Sequence, residues 1–267
     1  MSNPFPHVRH SGCRSPLVLT IIIGVFVLVS TVLTIPQFFP NTDLKIQEFI
    51  TLINKEYDET KILAGQITAQ DYDTLEEKIT TSATNLEKPL IVNDTLIIDN
   101  FVSSSTTLTK QLALNGNDIT CLLNLALQQA TNTEEGETDI NKTISIISFN
   151  LDTIGEITSI KAVFKVDMSS LKEDVSSAEI PSHIYLTLLG EIKNSASNYM
   201  ISSKFKINDL NDEDNLNATS YLNQLFNIKD EKNASAVTID ELIRLLRTLN
   251  TTFKKDVTFS TQYIIIG

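Results

Sequence analysis

The chain has 267 residues, a formal net charge of −12 at pH 7, two cysteines, three histidines and no tryptophan. This acidic balance argues against nucleic-acid binding, because contact with phosphates needs patches of lysine and arginine. The length is sufficient for a core that is stable without disulfides.

An apolar segment near the N-terminus predicts a membrane-spanning helix over residues 16–36. Leu17 to Ile35 contains no charged residue. As a helix it would extend roughly 28 Å, close to the ~30 Å hydrocarbon core of a bilayer. A cleaved signal peptide is the alternative. However, the run exceeds the ~7–15 apolar residues of such a peptide, and Ile35-Pro36 stands where small residues should precede cleavage. We therefore predict a retained anchor.

The charges on either side of the span predict its orientation. Arg9 and Arg14 precede it, whereas all 33 aspartates and glutamates follow it. Because positively charged residues stay on the cytoplasmic side, residues 1–15 should form a cytoplasmic tail and the rest should lie outside the cell membrane. Cys13 and Cys121 would then lie on opposite sides of the membrane, so they cannot pair.

Residues 41–88 predict a helical stalk. Apolar residues at spacings near three and four indicate one helix from Asp43 to about Ile67. A second helix is predicted to begin at Asp73, because Glu76 three residues later completes a capping box. The apolar stripes are thin, so these helices must pack on each other, on the following domain, or on another copy of the chain.

Residues 89–267 predict a single extracytoplasmic α+β domain. It begins with two short strands around Asn93-Asp94, or with one irregular strand, and a further strand ends at Leu114. The next segment is a helix with Asn117 or Asp118 as its N-cap, followed by apolar residues at i, i+3, i+4 and i+7. We expect this helix to be mostly buried at the centre of the domain.

Four consecutive segments then alternate between apolar and polar residues, as strands with one buried face do. Without helices between most of them, they indicate an antiparallel sheet. Gly190 would mark a bulge or bend in a strongly curved sheet that wraps around the apolar helices. The alternating segments are Thr143 to Leu151, Ile160 to Met168, Ile184 to Ile192 and Tyr199 to Ile207.

Two helices and a strand complete the chain. One helix is predicted from Ala218 to Phe226. A capping box at Thr238 and Glu241 opens another helix, whose apolar stripe runs from Ile239 to Phe253. Asp256 to Ile266 predicts a last strand, which should be interior or covered because its end is apolar on both faces.

The order of these elements resembles the YpmS-like membrane-anchored proteins of Gram-positive bacteria. The likeness covers about Thr107 to Lys206 and includes strand order and one helix motif, Asn-Asp-Ile-Thr-Cys-Leu-Leu-Asn-Leu-Ala-Leu. The matching positions in that motif are Asp118, Ile119, Leu122 and Leu123. The resemblance implies a curved sheet wrapped around a helix, of the kind proposed to hold a lipid or another apolar ligand. The stalk and the helices from Ala218 to Phe253 depart from that pattern.

Residues with catalytic potential are sparse. The motifs GxSxG, HExxH, Walker A and paired CxxC do not occur. His183 follows Ser182 at the start of a strand, where a lone histidine is more often a surface or packing residue than a base. Asp209 to Asp214 is acidic but lacks the spacing of an EF-hand, so we expect a solvated loop there, with a calcium site as the alternative. We predict no catalytic residue, cofactor or metal, and no enzyme activity.

Three functions fit this organisation. The first is a membrane-tethered module of the bacterial cell envelope that binds a lipid or another apolar ligand. The second is an interaction domain that scaffolds other envelope proteins, and the third is an enzyme with a carboxylate-based site. A channel between the sheet and its helices would favour the first function, and a filled core would favour the second. The expected lining residues are Leu122, Leu123, Phe164, Leu186 and Leu246.

Overall fold

A computed structural model describes residues 43–82, 91–92, 95–96, 110–131, 144–168, 180–194, 199–225, 239 and 257–267. This part of the chain combines helices with antiparallel sheets, so the α+β prediction is confirmed. The predicted cytoplasmic tail (1–15), the membrane span (16–36) and Leu246 lie outside the described residues. None of the described helices combines the length and the apolar character that crossing a bilayer requires.

Three helices occupy the first described segment: α1 (Asp43–Ile53), α2 (Glu59–Ile62) and α3 (Ala69–Ser82). The predicted continuous helix up to Ile67 is therefore not observed. The Asp58 carboxylate accepts a hydrogen bond from the Thr60 backbone N–H and so caps α2 as a separate helix. Gly65 then turns the chain with a φ of 86°, a conformation that favours glycine.

Short strands and one long helix follow. β1 (Ile91–Val92) and β2 (Thr95–Leu96) pair in antiparallel fashion, which confirms the interpretation as two strands. β3 (Leu112–Leu114) leads directly into α4 (Gly116–Thr131), the predicted apolar helix.

A four-stranded antiparallel sheet confirms the four alternating segments. It contains β4 (Ile144–Ile154), β5 (Ile157–Asp167), β6 (His183–Lys193) and β7 (Tyr199–Ile207), paired in chain order. The register is interrupted between Ile146 and Ser148 and between Glu191 and Ile192. The second irregularity begins next to Gly190, where a bulge or bend was predicted.

One face of this sheet, the inner face, is apolar and buried. Phe164 and Leu186 lie opposite each other there, with 4% and 1% of their surfaces exposed. Gly190 also belongs to this face, and Ile239 packs against it. A Cβ atom at Gly190 would lie only 2.4 Å from Ile239 Cδ1, so glycine is needed for this close approach. The inner face is thus covered at this point by the beginning of the predicted helix from Ile239 to Phe253, most of which lies outside the described residues.

The helix α4 lies along the edge of the sheet, next to β4, which differs from the expected position at its centre. Asn124 donates a hydrogen bond to the carbonyl of Ile146 and accepts one from its N–H, at 2.8 and 3.0 Å. One turn earlier, Thr120 Oγ1 accepts a hydrogen bond from Phe149 N. Gly116, a further turn back, approaches Phe149 O. This polar stripe at spacings of four therefore satisfies the open edge of β4.

The N-cap of α4 is Asn115, which corrects the prediction of Asn117 or Asp118. Asn115 Oδ1 accepts a hydrogen bond from Asp118 N, and Asp118 Oδ2 accepts one from Asn115 N. These reciprocal bonds form a capping box in which Asp118 occupies the N3 position.

The last helix that the structure describes is α5 (Asp212–Leu225), which begins six residues before the predicted start at Ala218. Asn211 caps it, because its Oδ1 accepts a hydrogen bond from Asp214 N. Within α5, the Asn215 side chain bonds to the β7 backbone, accepting from Ile207 N and donating to Phe205 O. Each edge strand of the sheet thus has backbone groups that bond to an asparagine side chain: β4 to Asn124 and β7 to Asn215.

The C-terminal segment is a hairpin, so the prediction of one strand from Asp256 to Ile266 is wrong. β8 (Val257–Ser260) and β9 (Tyr263–Ile266) are joined by Thr261 and Gln262. Thr261 has a φ of 46°, which reverses the chain. β9 lies between β3 and β8 in a three-stranded sheet, so its predicted interior position is confirmed.

The helices before residue 83 pack on this assembly. α1 contacts α5, and α3 contacts α4. Asn208, after β7, donates a hydrogen bond to Ile53 O at the end of α1, and Lys78 of α3 binds the Asp118 carboxylate at 2.6 Å. Ile62 of α2 packs with Ile147, Val163 and Tyr185 on the outer face of the sheet, the face opposite the inner one. Of the three arrangements left open for the predicted stalk, packing on the domain is the one observed.

Gly116→Ala should destabilise the domain, because the new Cβ would lie 2.2 Å from Phe149 O, a backbone atom that cannot move aside freely. We expect a loss of about 1–3 kcal/mol, as for overpacking elsewhere. This loss is measured by urea unfolding of the full-length protein in detergent, monitored by circular dichroism. Gly155→Asn is the matched control, since a Cβ at Gly155 meets no atom within 4 Å and asparagine tolerates its φ of 61°. Equal midpoints for the two variants would show that α4 does not need this close approach.

Candidate functional site

An open polar groove lies where α4, the four-stranded sheet and the C-terminal hairpin meet. Its volume is about 460 Å³, within the range of small-molecule sites. The start of α4 forms one wall, and the hairpin turn forms another. The floor comes from β4, β5 and β6. The lining residues are Asn115, Gly116, Asn117, Asn150, Leu151, Asp152, Ser159, Ile160, Lys161, Leu189 and Gln262.

The strand register places the polar floor residues side by side. Asn150 lies opposite Lys161, and Asp152 lies opposite Ser159. Lys161 is in turn opposite Leu189 of β6. Because side chains alternate along a strand, all five project from the outer face of the sheet.

The groove walls are held in place by hydrogen bonds outside the floor. The Asn117 amide donates to Asp71 Oδ1 of α3 at 2.7 Å. The Asn115 carbonyl oxygen accepts from Asp118 N. On the other side, Thr153 N donates to Thr261 O at 2.7 Å, which fixes the turn that carries Gln262. The groove is thus formed between structured elements, and the side chains of Asn115 and Asn117 are held in place by hydrogen bonds.

Carboxamides are the commonest polar groups of the groove, whose lining also contains apolar surface. Four of its side chains are asparagine or glutamine, and each carboxamide offers both donors and acceptors. Ser159 adds a hydroxyl that can do both. Asp152 adds an acceptor and Lys161 a donor, so the groove contains one side-chain charge of each sign. Leu189 provides an apolar contact on the floor.

The five predicted ligand-lining residues do not come together in this groove. Phe164 and Leu186 are core residues of the inner face. Leu122 and Leu123 are half-buried on α4. None of these four lines the groove, and Leu246 lies outside the described residues. A channel lined by this set stays a prediction.

His183 belongs to a cluster that fastens α2 to the outer face. Its Nε2 lies 3.4 Å from Glu59 Oε1, a distance suited to an ion pair when the ring is protonated. Its Nδ1 lies 3.1 Å from Ser182 Oγ. The ring also packs edge-on against Tyr185, whose hydroxyl donates to Glu59. These contacts agree with a packing role for His183.

The contacts within this cluster shift the pKa values of Glu59 and Tyr185. The hydrogen bond from Tyr185 is the main factor that lowers the pKa of the Glu59 carboxyl, and His183 and Lys165 add to it. Burial, followed by the bond to Glu59, raises the pKa of Tyr185. Glu59 therefore stays ionised at neutral pH and accepts a hydrogen bond from the Tyr185 hydroxyl. This bond holds the 57–63 segment over the sheet.

The acidic residues from Asp209 to Asp214 surround the start of α5. Lys206 binds Asp209 at 2.5 Å, and Lys55 binds Asp214 at 2.7 Å. Asp212, Glu213 and Asp214 occupy the first turn, where carboxylates stabilise a helix. Among the residues that the structure describes, no group of three or more histidines, cysteines or acids is arranged to hold a metal ion.

Cys121 is fully buried between α4 and α3. Burial, together with the carboxylates of Asp71 and Asp118, raises the pKa of the thiol to about 12. A thiol with this pKa is protonated at neutral pH and is a poor nucleophile. Its predicted place as a small buried residue is confirmed.

Comparisons with known proteins find no matching family model, no similar curated protein and no similar solved structure. The resemblance to the YpmS-like proteins therefore stays a prediction.

Proposed function

We propose that the protein is a single-pass, membrane-anchored extracytoplasmic binding protein of the cell envelope, and that the groove is its binding site. The observation that supports the groove is the contrast between the two faces of the sheet. The inner face carries buried side chains such as Phe164 and Leu186, whereas the outer face bears an open polar groove.

The anchor comes from the sequence. Residues 16–36 would span the bilayer, and Arg9 and Arg14 would keep residues 1–15 in the cytoplasm. The first described helix begins at Asp43, a few residues beyond the predicted span. In this proposal the sheet curves around the helices that cover its inner face, and its outer face meets a ligand close to the membrane surface.

A second candidate function, scaffolding of other envelope proteins, is favoured by one surface feature. Ile154 and Ile157 face each other at the tip of the β4–β5 hairpin, and they are 76% and 42% exposed. Exposed aliphatic pairs at a loop tip are suited to contact with a protein. Neither isoleucine lines the groove, so the two candidate functions can be tested at different positions.

Photocrosslinking in intact cells tests these alternatives. A benzophenone amino acid would replace one residue of the full-length chain at a time: Gln262 in the groove, Ile157 at the hairpin tip, or Leu123 on α4. We expect an adduct at Gln262, because a bound ligand would contact the groove wall. Gln66, which is exposed in the turn after α2, is the control position.

Each other result has a distinct meaning. A protein adduct at Ile157 alone would favour the scaffold, and a lipid adduct at Leu123 would favour the apolar ligand. Equal adducts at Gln66 and Gln262 would contradict a specific groove. Protease added outside the same cells should digest the domain, and its survival there would contradict the proposed orientation.

A further inference from the structure

We infer that the ligand of the groove is a neutral, polyhydroxylated molecule, namely a segment of a saccharide chain. This inference rests on the proposed function, because it assumes that the groove is the binding site. It deepens that proposal by assigning a chemical class to the ligand.

The polar side chains of the groove complement sugar hydroxyls in hydrogen bonding. A sugar hydroxyl both donates and accepts, and a carboxamide or serine hydroxyl does the same. Three separate elements present this type of group: α4 through Asn117, β4 through Asn150 and the hairpin turn through Gln262. A ligand with several hydroxyls can therefore bond to more than one element at once.

The existing hydrogen bonds orient two of these amides. The Asn117 NH₂ group donates one hydrogen bond to Asp71 and keeps a second N–H, so this amide offers both a donor and its carbonyl oxygen to a ligand. The Asn115 side-chain oxygen, Oδ1, accepts from Asp118 N, which leaves its NH₂ group to donate. The start of α4 thus presents two amides two residues apart, which match a pair of neighbouring hydroxyls better than a single charged group.

An extended peptide would bind by adding a strand to an open sheet edge. The β4 edge beside the groove is already in use. Asn124 and Thr120 bond to its first half, and Thr153 N bonds to Thr261 O near its end. The uncovered length around Leu151 is too short for a ladder, so strand addition is disfavoured.

The polarity and charge of the groove disfavour an acyl chain and a polyanion. An acyl chain would leave the Asn150 and Gln262 amides without hydrogen-bond partners. A polyanion would need a cluster of cations, but Lys161 shares the groove with Asp152. The whole chain also carries a net charge of −12. A neutral, hydroxylated ligand avoids both the loss of hydrogen bonds to the amides and the repulsion between like charges. Leu189 on the floor also offers an apolar surface to the C–H groups of a sugar ring.

Saturation-transfer NMR with the full-length chain in nanodiscs tests this assignment. The probes are oligomers of glucose and of N-acetylglucosamine, with a trialanine peptide and glycerol phosphate as the alternative chemistries. We expect saturation transfer to at least one of the two saccharides, and none to the peptide or to glycerol phosphate. Asn150→Ala and Gln262→Ala should each weaken binding about two- to tenfold, the effect of losing one hydrogen bond. Gln66→Ala, outside the groove, should bind like the wild type.

The outcomes separate this inference from the proposed function. If the Gln262 crosslink forms in cells but neither saccharide binds, or if the peptide or glycerol phosphate binds in their place, the saccharide assignment is wrong and the groove stands. If a saccharide binds equally to wild type and to both groove variants, it binds elsewhere and the assignment is also wrong. If neither crosslink nor probe is seen, both proposals fail.

Discussion

Asn208→Ala should lower the free energy of unfolding by about 3–5 kcal/mol, among the largest effects expected from one residue of this chain. Asn208 is 1% exposed, and its side chain joins two elements. Its Oδ1 accepts a hydrogen bond from Tyr185 N at 2.7 Å, and its Nδ2 donates to Ile53 O at 2.8 Å. Each buried group left without a partner costs about 1–3 kcal/mol. Asn208 also has a φ of 46°, which alanine adopts less readily than asparagine.

Two further variants separate the causes of this loss. Asn208→Gly removes the same hydrogen bonds but accepts the positive φ, so it should be somewhat more stable than Asn208→Ala. Asp209→Ala changes the neighbouring residue, which has a φ of 55° but is exposed and bonds only to Lys206 among the described side chains. Urea midpoints of the full-length protein in detergent measure all three. If Asn208→Ala resembles Asp209→Ala, the amide contacts contribute little.

The four-stranded sheet could be predicted from the sequence because its signal is local. Side chains alternate between the two faces of a strand, and the inner face must be apolar to be buried. Phe164 and Val166 of β5, and Leu186 and Leu188 of β6, follow this rule, whereas Val163 and Tyr185 on the outer face are buried because α2 covers them. The pairing of consecutive strands followed from the short connections between most of them.

The boundaries of helices were predicted less well, because single side chains decide them. Asp58 starts α2 by accepting one backbone hydrogen bond, and Asn115 starts α4 through a capping box that begins two or three residues before the predicted cap. Asx residues are frequent throughout this chain, so several positions offer the same capping chemistry. Which one is used depends on the path of the backbone before the helix.

The position of α4 was not predictable from its apolar stripe. The sequence shows Ile119, Leu122 and Leu123 on one stripe, and this suggested a central helix. The contacts to β4 instead use Gly116, Thr120 and Asn124 on another stripe. In a sequence, polar residues that bond to a strand edge have the same pattern as polar residues that face solvent. The two cases can be told apart only when the position of the strand relative to the helix is known.

The groove was missed for a related reason. Alternation in β4 and β5 placed Asn150, Asp152 and Lys161 on a polar face, which is ordinary for a one-sided sheet. Nothing local shows that Asn117 and Gln262, from two other elements, approach the same part of that face. A site assembled from segments more than 100 residues apart appears only once the fold is known.

Asp118→Ala is the second variant for which we expect a large effect. If Asp118 acted only as a cap, its removal would cost ~0.5–2 kcal/mol. The residue is 2% exposed, however, and its Oδ2 accepts hydrogen bonds from both Asn115 N and Lys78 Nζ, at 2.8 and 2.6 Å. Removal of one member of a fully buried ion pair typically costs about 3–5 kcal/mol. The Lys78 side chain is 32% exposed, so solvent screens part of the ammonium charge that is left behind. We therefore expect a loss of about 2–3 kcal/mol, above that of a cap alone.

The control for this effect is already present in the chain. Asp214 occupies the same N3 position in α5, where it pairs with Asn211 and with Lys55. It lies nearer the surface, so Asp214→Ala should cost clearly less in the same urea titration, because solvent screens exposed ion pairs. Adding Lys78→Met to Asp118→Ala should recover part of the stability, since it removes the uncompensated ammonium group and keeps its aliphatic contacts. Equal losses for Asp118→Ala and Asp214→Ala, with no recovery in the double variant, would mean that Asp118 acts only as a cap and that α3 is not fastened to α4 by this ion pair.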